Sequence, residues 1–452
     1  MNTSAKNLTE GPLGKQILLF SLPLAMSNLL QVLFNMSDLA VVGRFAGAEA
    51  LGAVGSTTIF VTLFTSFLIG LGNGVNVLVA RHFGAQQEKD VVRTVHSAAL
   101  VCLLTGLGMT LCGLVFSPAL LRLLDTKPEL MAGAVLYLRI YFLGMPALAL
   151  YNFGSAVFSA VGDTRHPLYV LTAAGVLNVL LNLLFVIGFQ MDVAGVACAS
   201  VLAQYFSAVL VVAALFRDGG CYGLRWRQLR LYKGPTRKIL SLGLPAGFQT
   251  AVFYVANLFV QAGVNSFDTV VVEGNAAATN TDALVFDVMA AFYMACSSFM
   301  GQNYGAGKKD RVRRSYLISL AYSVGVGVVM GGGLVLFGRQ FLGLFTTESA
   351  VIDEGMKRLV IMGLNYPITA VMDCTIAASR GLGKTVVPTV IVLLGSCTLR
   401  VVWVYTIFAW FHTIPVLYLV YPCSWTVTAI AEVSYFIHSY RKLYPQPAQA
   451  GR

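Results

Sequence analysis

The chain repeats itself within apolar sequence of membrane-spanning length. The run ARHFGAQQEKDVVR, from Ala80 to Arg93, returns as GQNYGAGKKDRVRR from Gly301 to Arg314, each time directly after a long apolar segment. Leu22-Pro23 recurs as Leu244-Pro245, Pro146 as Pro367, Gly162 as Gly383 and Pro167 as Pro388, all at steps of 221 or 222 residues. Pro and Gly are common in membrane helices, which accounts for any one of these pairs but not for their shared step. Repeated Pro and Gly inside apolar segments mark the kinked or broken helices of membrane proteins built from repeats.

With 57% hydrophobic and 11% charged residues and a mean hydropathy of +0.74, the chain lies outside the range of soluble domains. A membrane-spanning helix needs roughly 20 mostly apolar residues. Twelve such stretches are predicted, centred near Asn28, Phe64, Thr105, Met145, Leu177, Gln204, Val252, Met289, Gly325, Thr369, Tyr405 and Thr426, six in each half. The fold class expected is therefore an all-α integral membrane protein of two six-helix lobes related by a pseudo-two-fold axis. An even number of spans per half makes the repeats parallel, with that axis along the membrane normal. Two such lobes leave a cleft that rocking exposes to either side in turn. The boundaries expected are an N-terminal lobe over 1–216, a basic linker over 217–238 and a C-terminal lobe over 239–452.

Charge orients the spans. Most Lys and Arg fall at the N-terminus and in the loops after even-numbered segments, whereas the opposite side or its segment edges hold Arg44, Arg122, Lys127, Arg139, Arg339, Lys357 and Arg358. Arg400 is left inside a segment as the lone buried base. The positive-inside rule then puts both termini in the cytoplasm of a cell that carries the protein in its plasma or inner membrane. The net charge of +11 is spread through short loops instead of forming one face, so it does not indicate a nucleic-acid partner. The first apolar segment follows a polar N-terminus without a convincing cleavage site, so no signal peptide is expected.

Eight cysteines are scattered without a Cys-x-x-Cys pair and read as small core residues. Five histidines lie mainly in loops or at segment ends and show neither His-x-x-x-His nor His-Glu-x-x-His spacing. Gly70-x-Gly72-x-Gly74 and the stretch Gly301 to Gly307 follow no strand and lack the Gly-Lys-Ser/Thr ending of a phosphate loop. With no nucleotide site in the sequence, transport would be driven by an ion gradient, a partner protein or the substrate itself.

Polar residues inside the spans are where chemistry is expected, because ionisable groups are costly there. Asn28, Gln31, Asn35 and Asp38 follow at steps of three, four and three, which puts all four on one face of the first segment. Asn178 and Asn182 share a face of the fifth. If these faces meet, Asp38 gains amide neighbours and few positive partners, a setting for reversible protonation or for a hard monovalent cation such as sodium. The other reading of the amides is that they hydrogen-bond helices together. The C-terminal half offers Asn257, Gln261 and Asn265 at steps of four, then Glu273, Asn280, Asp282 and Asp287 leading into the eighth segment. Asp373 and Glu432 are further buried acids, either of which is a structural partner for Arg400. Trp403, Trp410 and Trp425 either stack on a flat organic cation or anchor at the interfaces.

At these residues the chain resembles a known family. Asn35-Met-Ser-Asp38 followed by Val42-Gly43-Arg44 looks like the first-segment motif of the multidrug and toxic compound extrusion (MATE) transporters. Gly301-Gln-Asn-Tyr-Gly-Ala-Gly307-Lys308, Arg380-Gly-Leu-Gly-Lys384 and Leu399-Arg400-Val-Val-Trp403 are similar to other motifs of that family, and the resemblance runs from about Pro12 to about Tyr440. It implies a central cavity and export of amphipathic, often cationic, organic compounds in exchange for sodium ions or protons. It implies that Asp38 is the coupling carboxylate, assisted by Asn178, Asn182 and Ser200; the polar faces read above add Asn35 to that set and place Gln31, Asn257, Gln261, Asp282, Asp287 and Asp373 at the expected substrate cavity. No cofactor is expected beyond the coupling ion, and no metal beyond sodium at Asp38. The partners expected are small organic substrates and membrane lipid, with the transporter working as a monomer and not as an enzyme.

Two departures bear on coupling. Many relatives carry a second Asp at the position of Asn182, and some carry an acid early in segment 7, near Phe253. A site with one carboxylate holds sodium less strongly but still takes a proton. Coupling through the C-terminal lobe would then use Asp282, Asp287 or Asp373. The alternatives are a flippase of a lipid-linked saccharide or lipid, whose cavity would need several inward-facing Arg or Lys, and a membrane-embedded transferase or hydrolase, which would need a cluster of His, Asp or Glu at one membrane face.

Overall fold

The computed structural model describes residues 6–124 and 126–444, so the C-terminal end beyond Tyr444 lies outside the described residues. Helices α1 (Leu13–Val41), α2 (Gly47–Gly84), α3 (Glu88–Leu123), α4 (Pro128–Leu143), α5 (Met145–Ala160), α6 (Arg165–Leu183) and α7 (Asp192–Arg217) make up the first repeat. The second begins with α8 (Lys233–Val264), α9 (Thr269–Gly305), α10 (Lys309–Leu342) and α11 (Ser349–Gly381). It ends with the short helices α12 (Val386–Val392), α13 (Leu399–Trp403), α14 (Ala409–Phe411) and α15 (Ile414–Tyr418), followed by α16 (Val420–Leu443).

Ten continuous helical stretches are long and apolar enough to span a bilayer, and α4 with α5 forms an eleventh across a 44° bend. The first stretch, Leu13–Gly84, runs for 72 residues. At about 1.5 Å per residue that is several times the roughly 30 Å of a hydrocarbon core, so it contains two crossings. The chain divides them at the π-helical turn Val42–Ala46 and at Gly47, whose φ of +88° only glycine takes readily. Twelve spans result, as the apolar periodicity predicts. The repeated prolines act differently in the two halves. Pro146 opens α5 just after the bend at Gly144, whereas Pro367 sits inside the continuous α11.

The backbone falls into two units. Among the described residues, one takes Met26–Ala251 with Lys6 and Asn7; the other takes Leu8–Ala25 and the chain from Val252 to Tyr444. Consequently α1 and α8 are each shared: the first part of α1 packs in the second unit and the first part of α8 in the first.

In the first unit, α2, α3, α5 and α7 enclose a core of Leu71, Val75, Val95, Phe142, Phe153, Val157 and Leu215. Here α2 and α8 meet backbone to backbone. A methyl group added at Gly70 would lie 2.4 Å from Gly247 Cα, and one at Gly74 would lie 2.5 Å from Gly243 N. Small residues at this spacing let membrane helices gain van der Waals contact where lipid gives no hydrophobic drive.

In the second unit, α9, α10, α11 and α16 pack around Val285, Met289, Leu359, Met362, Tyr366 and Trp425. The doubled motif after α9 anchors the beginning of the chain. Gln302 Oε1 accepts from Leu8 N–H at 3.1 Å, Lys308 Nζ donates to Thr9 O at 2.8 Å, and Arg311 donates to Leu8 O, Glu10 O and Gly11 O at 2.9–3.2 Å. Gln302 and Lys308 of this motif, with Arg311, thus clamp the beginning of the chain.

Candidate functional site

Asp38 sits half-buried three residues before the end of α1. Asn182 Nδ2 donates to its Oδ1 at 2.5 Å, and Ser200 Oγ donates to its Oδ2 at 3.4 Å. Asn178 completes the group: its Nδ2 donates to Ser200 Oγ at 3.5 Å and its Oδ1 accepts from Asn182 at 3.4 Å. Spacing explains this from α6, because Asn178 and Asn182 are one turn apart and point the same way. Ser200 reaches the same place from α7.

Two π-helical turns, Val42–Ala46 after α1 and Leu184–Gly188 after α6, follow Asp38 and Asn182 directly. Such turns shift the helix phase by inserting one residue, and they concentrate at functional sites.

Electrostatically the group is one-sided. Among the described residues no Lys, Arg or His lies within ion-pair distance of Asp38. Asn182 Oδ1 is buried with no hydrogen-bond partner among the described residues. Two carboxylate oxygens, two amide oxygens and a hydroxyl with so little positive charge nearby suit a proton or a hard monovalent cation. Gln31 and Asn35, on the same helix, are exposed and lie outside this hydrogen-bonded set.

The second unit distributes its candidates over separate contacts. Asp282 is buried, accepts from Arg358 Nε at 2.9 Å, and accepts a further hydrogen bond from Tyr366 OH. Asn275 Oδ1 accepts from Arg358 Nη1 and from Tyr418 OH, both at 3.1 Å, while its Nδ2 donates to Gln261 Oε1 at 3.1 Å. Asp373 accepts from Thr369 Oγ1, one turn away, at 3.3 Å. Asp287 is half-buried on α9, and Glu273 is exposed. Glu432 is wholly buried, and neither of its carboxylate oxygens has a hydrogen-bond partner among the described residues.

Arg400 is not the lone buried base. Arg358, expected at a segment edge, is 6% exposed and is the partner of Asp282. The expectation that Arg400 pairs with Asp373 or Glu432 also fails at ion-pair distance: its Nη1 donates to Asn257 Oδ1 at 2.7 Å and its Nε to Ser424 Oγ at 3.4 Å. The guanidinium lies between the rings of Phe253 and Tyr421, 4.3 and 4.9 Å from their centroids. Trp425 is buried and Trp410 is 88% exposed.

Sequence reasoning overlooked Asn275, Arg358 and Tyr366. Their signal was present, since Arg358, Met362 and Tyr366 fall at steps of four, and Asn275 and Asp282 are seven apart, each set on one helical face.

A model of the MatE family matches residues 23–184 and again residues 245–406, the same 222-residue step at both ends. The chain belongs to the MatE family. The double match coincides with the repeat read from the prolines and glycines. Among similar MatE proteins, the probable multidrug resistance protein YpnP of Bacillus subtilis is 31% identical over 413 residues, 90% of this chain and 91% of that one. The probable multidrug resistance protein NorM of Thermotoga maritima is 25% identical across 85% of this chain and 84% of its own length. The fold matches a solved outward-facing multidrug resistance MATE transporter of the MOP superfamily, with a TM-score of 0.90, 20% identity and coverage of 99% of this chain and 100% of that one. This MatE protein is thus a multi-pass membrane protein of a transporter family.

Proposed function

We propose that the protein is a secondary active antiporter that exports amphipathic organic compounds, cationic ones included, in exchange for protons or sodium ions. The single observation that carries this reading is the Asp38 group: a carboxylate bonded by Asn182 and Ser200, with no cationic side chain at ion-pair distance among the described residues. A buried charge of that kind binds a counter-cation or a proton, and loses it when its surroundings change. One arrangement of the lobes is stabilised by the cation at Asp38 and another by the organic substrate, and this differential affinity drives exchange by alternating access. Family membership and the relatives named multidrug resistance proteins support the choice of substrate class.

The two lobes are read as 1–216 and 239–452, joined by the basic linker 217–238. The excess of Lys and Arg in the linker and in the loops on its side supports cytoplasmic termini in a plasma or inner membrane. The protein works as a monomer and needs no cofactor besides the coupling ion. Gln31, Asn35, Asn257, Gln261, Asp287 and Asp373 remain proposed contributors to the ion and substrate path. Asp282 is excluded from a free coupling role by its bond to Arg358.

The test is ethidium transport by the purified protein in proteoliposomes, under an imposed proton gradient and, separately, an imposed sodium gradient. Movement driven by one of them supports antiport and names the ion. Movement driven by neither overturns the reading.

A further inference from the structure

The two repeats hold opposite charges in corresponding regions but not at equivalent positions. The 222-residue step between the family matches carries Asn35 onto Asn257, Gln31 onto Phe253 and Asn178 onto Arg400. It carries Asp38 onto Val260, so the carboxylate of the first repeat has no counterpart in the second. Where the first repeat gathers oxygens around an acid, the second gathers an amide, a hydroxyl and two aromatic rings around a guanidinium. The arrangement is again flanked by π-helical turns, Leu393–Thr398 before Arg400 and Val404–Phe408 after it.

Arg400 is wholly buried, and its Nη2 has no hydrogen-bond partner among the described residues. No carboxylate stands within ion-pair distance of it among the described residues. The charged groups that act on it through space are Asp373 on α11 and Arg358 across the Tyr421 ring. Asp282 neutralises Arg358, so Asp373 is the one acid near enough to offset Arg400, and it does so without contact. Ring faces and neutral acceptors compensate a buried cation only in part, and the remaining N–H is a strong donor without an acceptor. Planar guanidinium nitrogens side by side match the two oxygens of a carboxylate or phosphate.

We infer that Arg400 and Asn257 form an anion subsite that receives a carboxylate or phosphate group. Asn257 is half-buried on α8 and meets the anion first, with Arg400 behind it. The inference rests on the exporter reading and narrows it: the preferred compounds are amphiphiles carrying a negative group beside any positive one. An anion entering at Arg400 replaces the neutral Asn257 oxygen as its principal acceptor, while the cation exchanged for it is handled at Asp38.

The experiment uses two dyes that share a xanthene ring system. Rhodamine 110 carries a free carboxylate and rhodamine 123 is its methyl ester. Binding to the purified full-length protein is followed by fluorescence anisotropy for the wild type, Arg400→Gln and Asn257→Asp. The last variant supplies Arg400 with an internal carboxylate and keeps the buried guanidinium, so it serves where Arg400→Gln does not fold. The wild type is expected to bind rhodamine 110 about tenfold more tightly than rhodamine 123, the difference one charge-assisted hydrogen bond makes. Both variants are expected to lose that preference, the two dyes binding each of them with equal affinity. Benzoate separates the sources of the anion: displacement of rhodamine 110 by millimolar benzoate assigns the subsite to anions in general, and preference without displacement assigns it to anions attached to the substrate. Equal binding of the two dyes by the wild type, or an unchanged preference in Asn257→Asp, overturns the anion subsite while leaving the exporter reading standing. Binding of neither dye overturns both.

Discussion

Asn182 and Asp38 stand 144 residues apart in the chain, yet the amide nitrogen of one donates to a carboxylate oxygen of the other across 2.5 Å. The amide occupies a place from which a second carboxylate would meet Asp38 at close range. Two acids at that distance share a proton or hold a cation between them. Asn182→Asp is therefore expected to raise sodium affinity by about an order of magnitude. Half-saturation by sodium of substrate efflux from proteoliposomes measures the change, and an unaltered sodium dependence would show that the two side chains do not act together on the ion.

Arg358 and Asp282 form a buried ion pair held further by Asn275 and Tyr366. Removing one member leaves a charge stranded, at a cost of about 3–5 kcal/mol. Arg358→Met and Asp282→Leu should each lower the thermal stability of the detergent-purified protein markedly. The double variant should recover much of that loss, because an apolar pair strands no charge. Equal loss in single and double variants would contradict the pairing.

Gly70 and Gly247 bring α2 and α8 into contact within the first unit. A side chain at either position must push backbone aside, an overpacking penalty of about 1–3 kcal/mol. Gly70→Val is expected to lower the melting temperature and the yield of folded protein. Gly55→Val, where an added carbon would meet nothing within 4 Å, should leave both unchanged.

Much of this was legible before the coordinates. Spans are long runs of like chemistry, so twelve of them survive the uncertainty of any single residue. The repeat step is written in prolines and glycines that no apolar substitution imitates. Arg358 was misplaced because counting charges by side treats a base near a span's end as solvated, whereas its burial depends on Asp282, 76 residues earlier on α9. The sharing of α1 and α8 between the units could not be read either. Both helices run unbroken through Ala25 and Ala251, so no turn or loop marks the place where the packing partner changes. The π-helical turns were hidden for a similar reason, since the inserted residue shifts the phase of the helix without any residue type that marks the insertion.

Arg311 closes the clamp on the beginning of the chain, donating to the carbonyls of Leu8, Glu10 and Gly11 and to Asn303 Oδ1. Arg311→Gln keeps a donor but cannot span these acceptors. Local opening of the segment should then become more frequent, and trypsin should cleave after Lys6 or Lys15 faster, by on the order of tenfold. Cleavage at the wild-type rate would mean that the segment is held by other contacts.

The central claim is that Asp38 couples the cation to the substrate. It is tested most directly by Asp38→Asn, which keeps size and one acceptor oxygen but removes the charge, in proteoliposomes loaded with ethidium under the gradient that drives the wild type. Gradient-driven movement is expected to fall to the level of protein-free vesicles while ethidium still binds the variant. Transport by Asp38→Asn at the wild-type rate would contradict the account and move coupling to Asp373, Asp287 or Glu432 in the second unit.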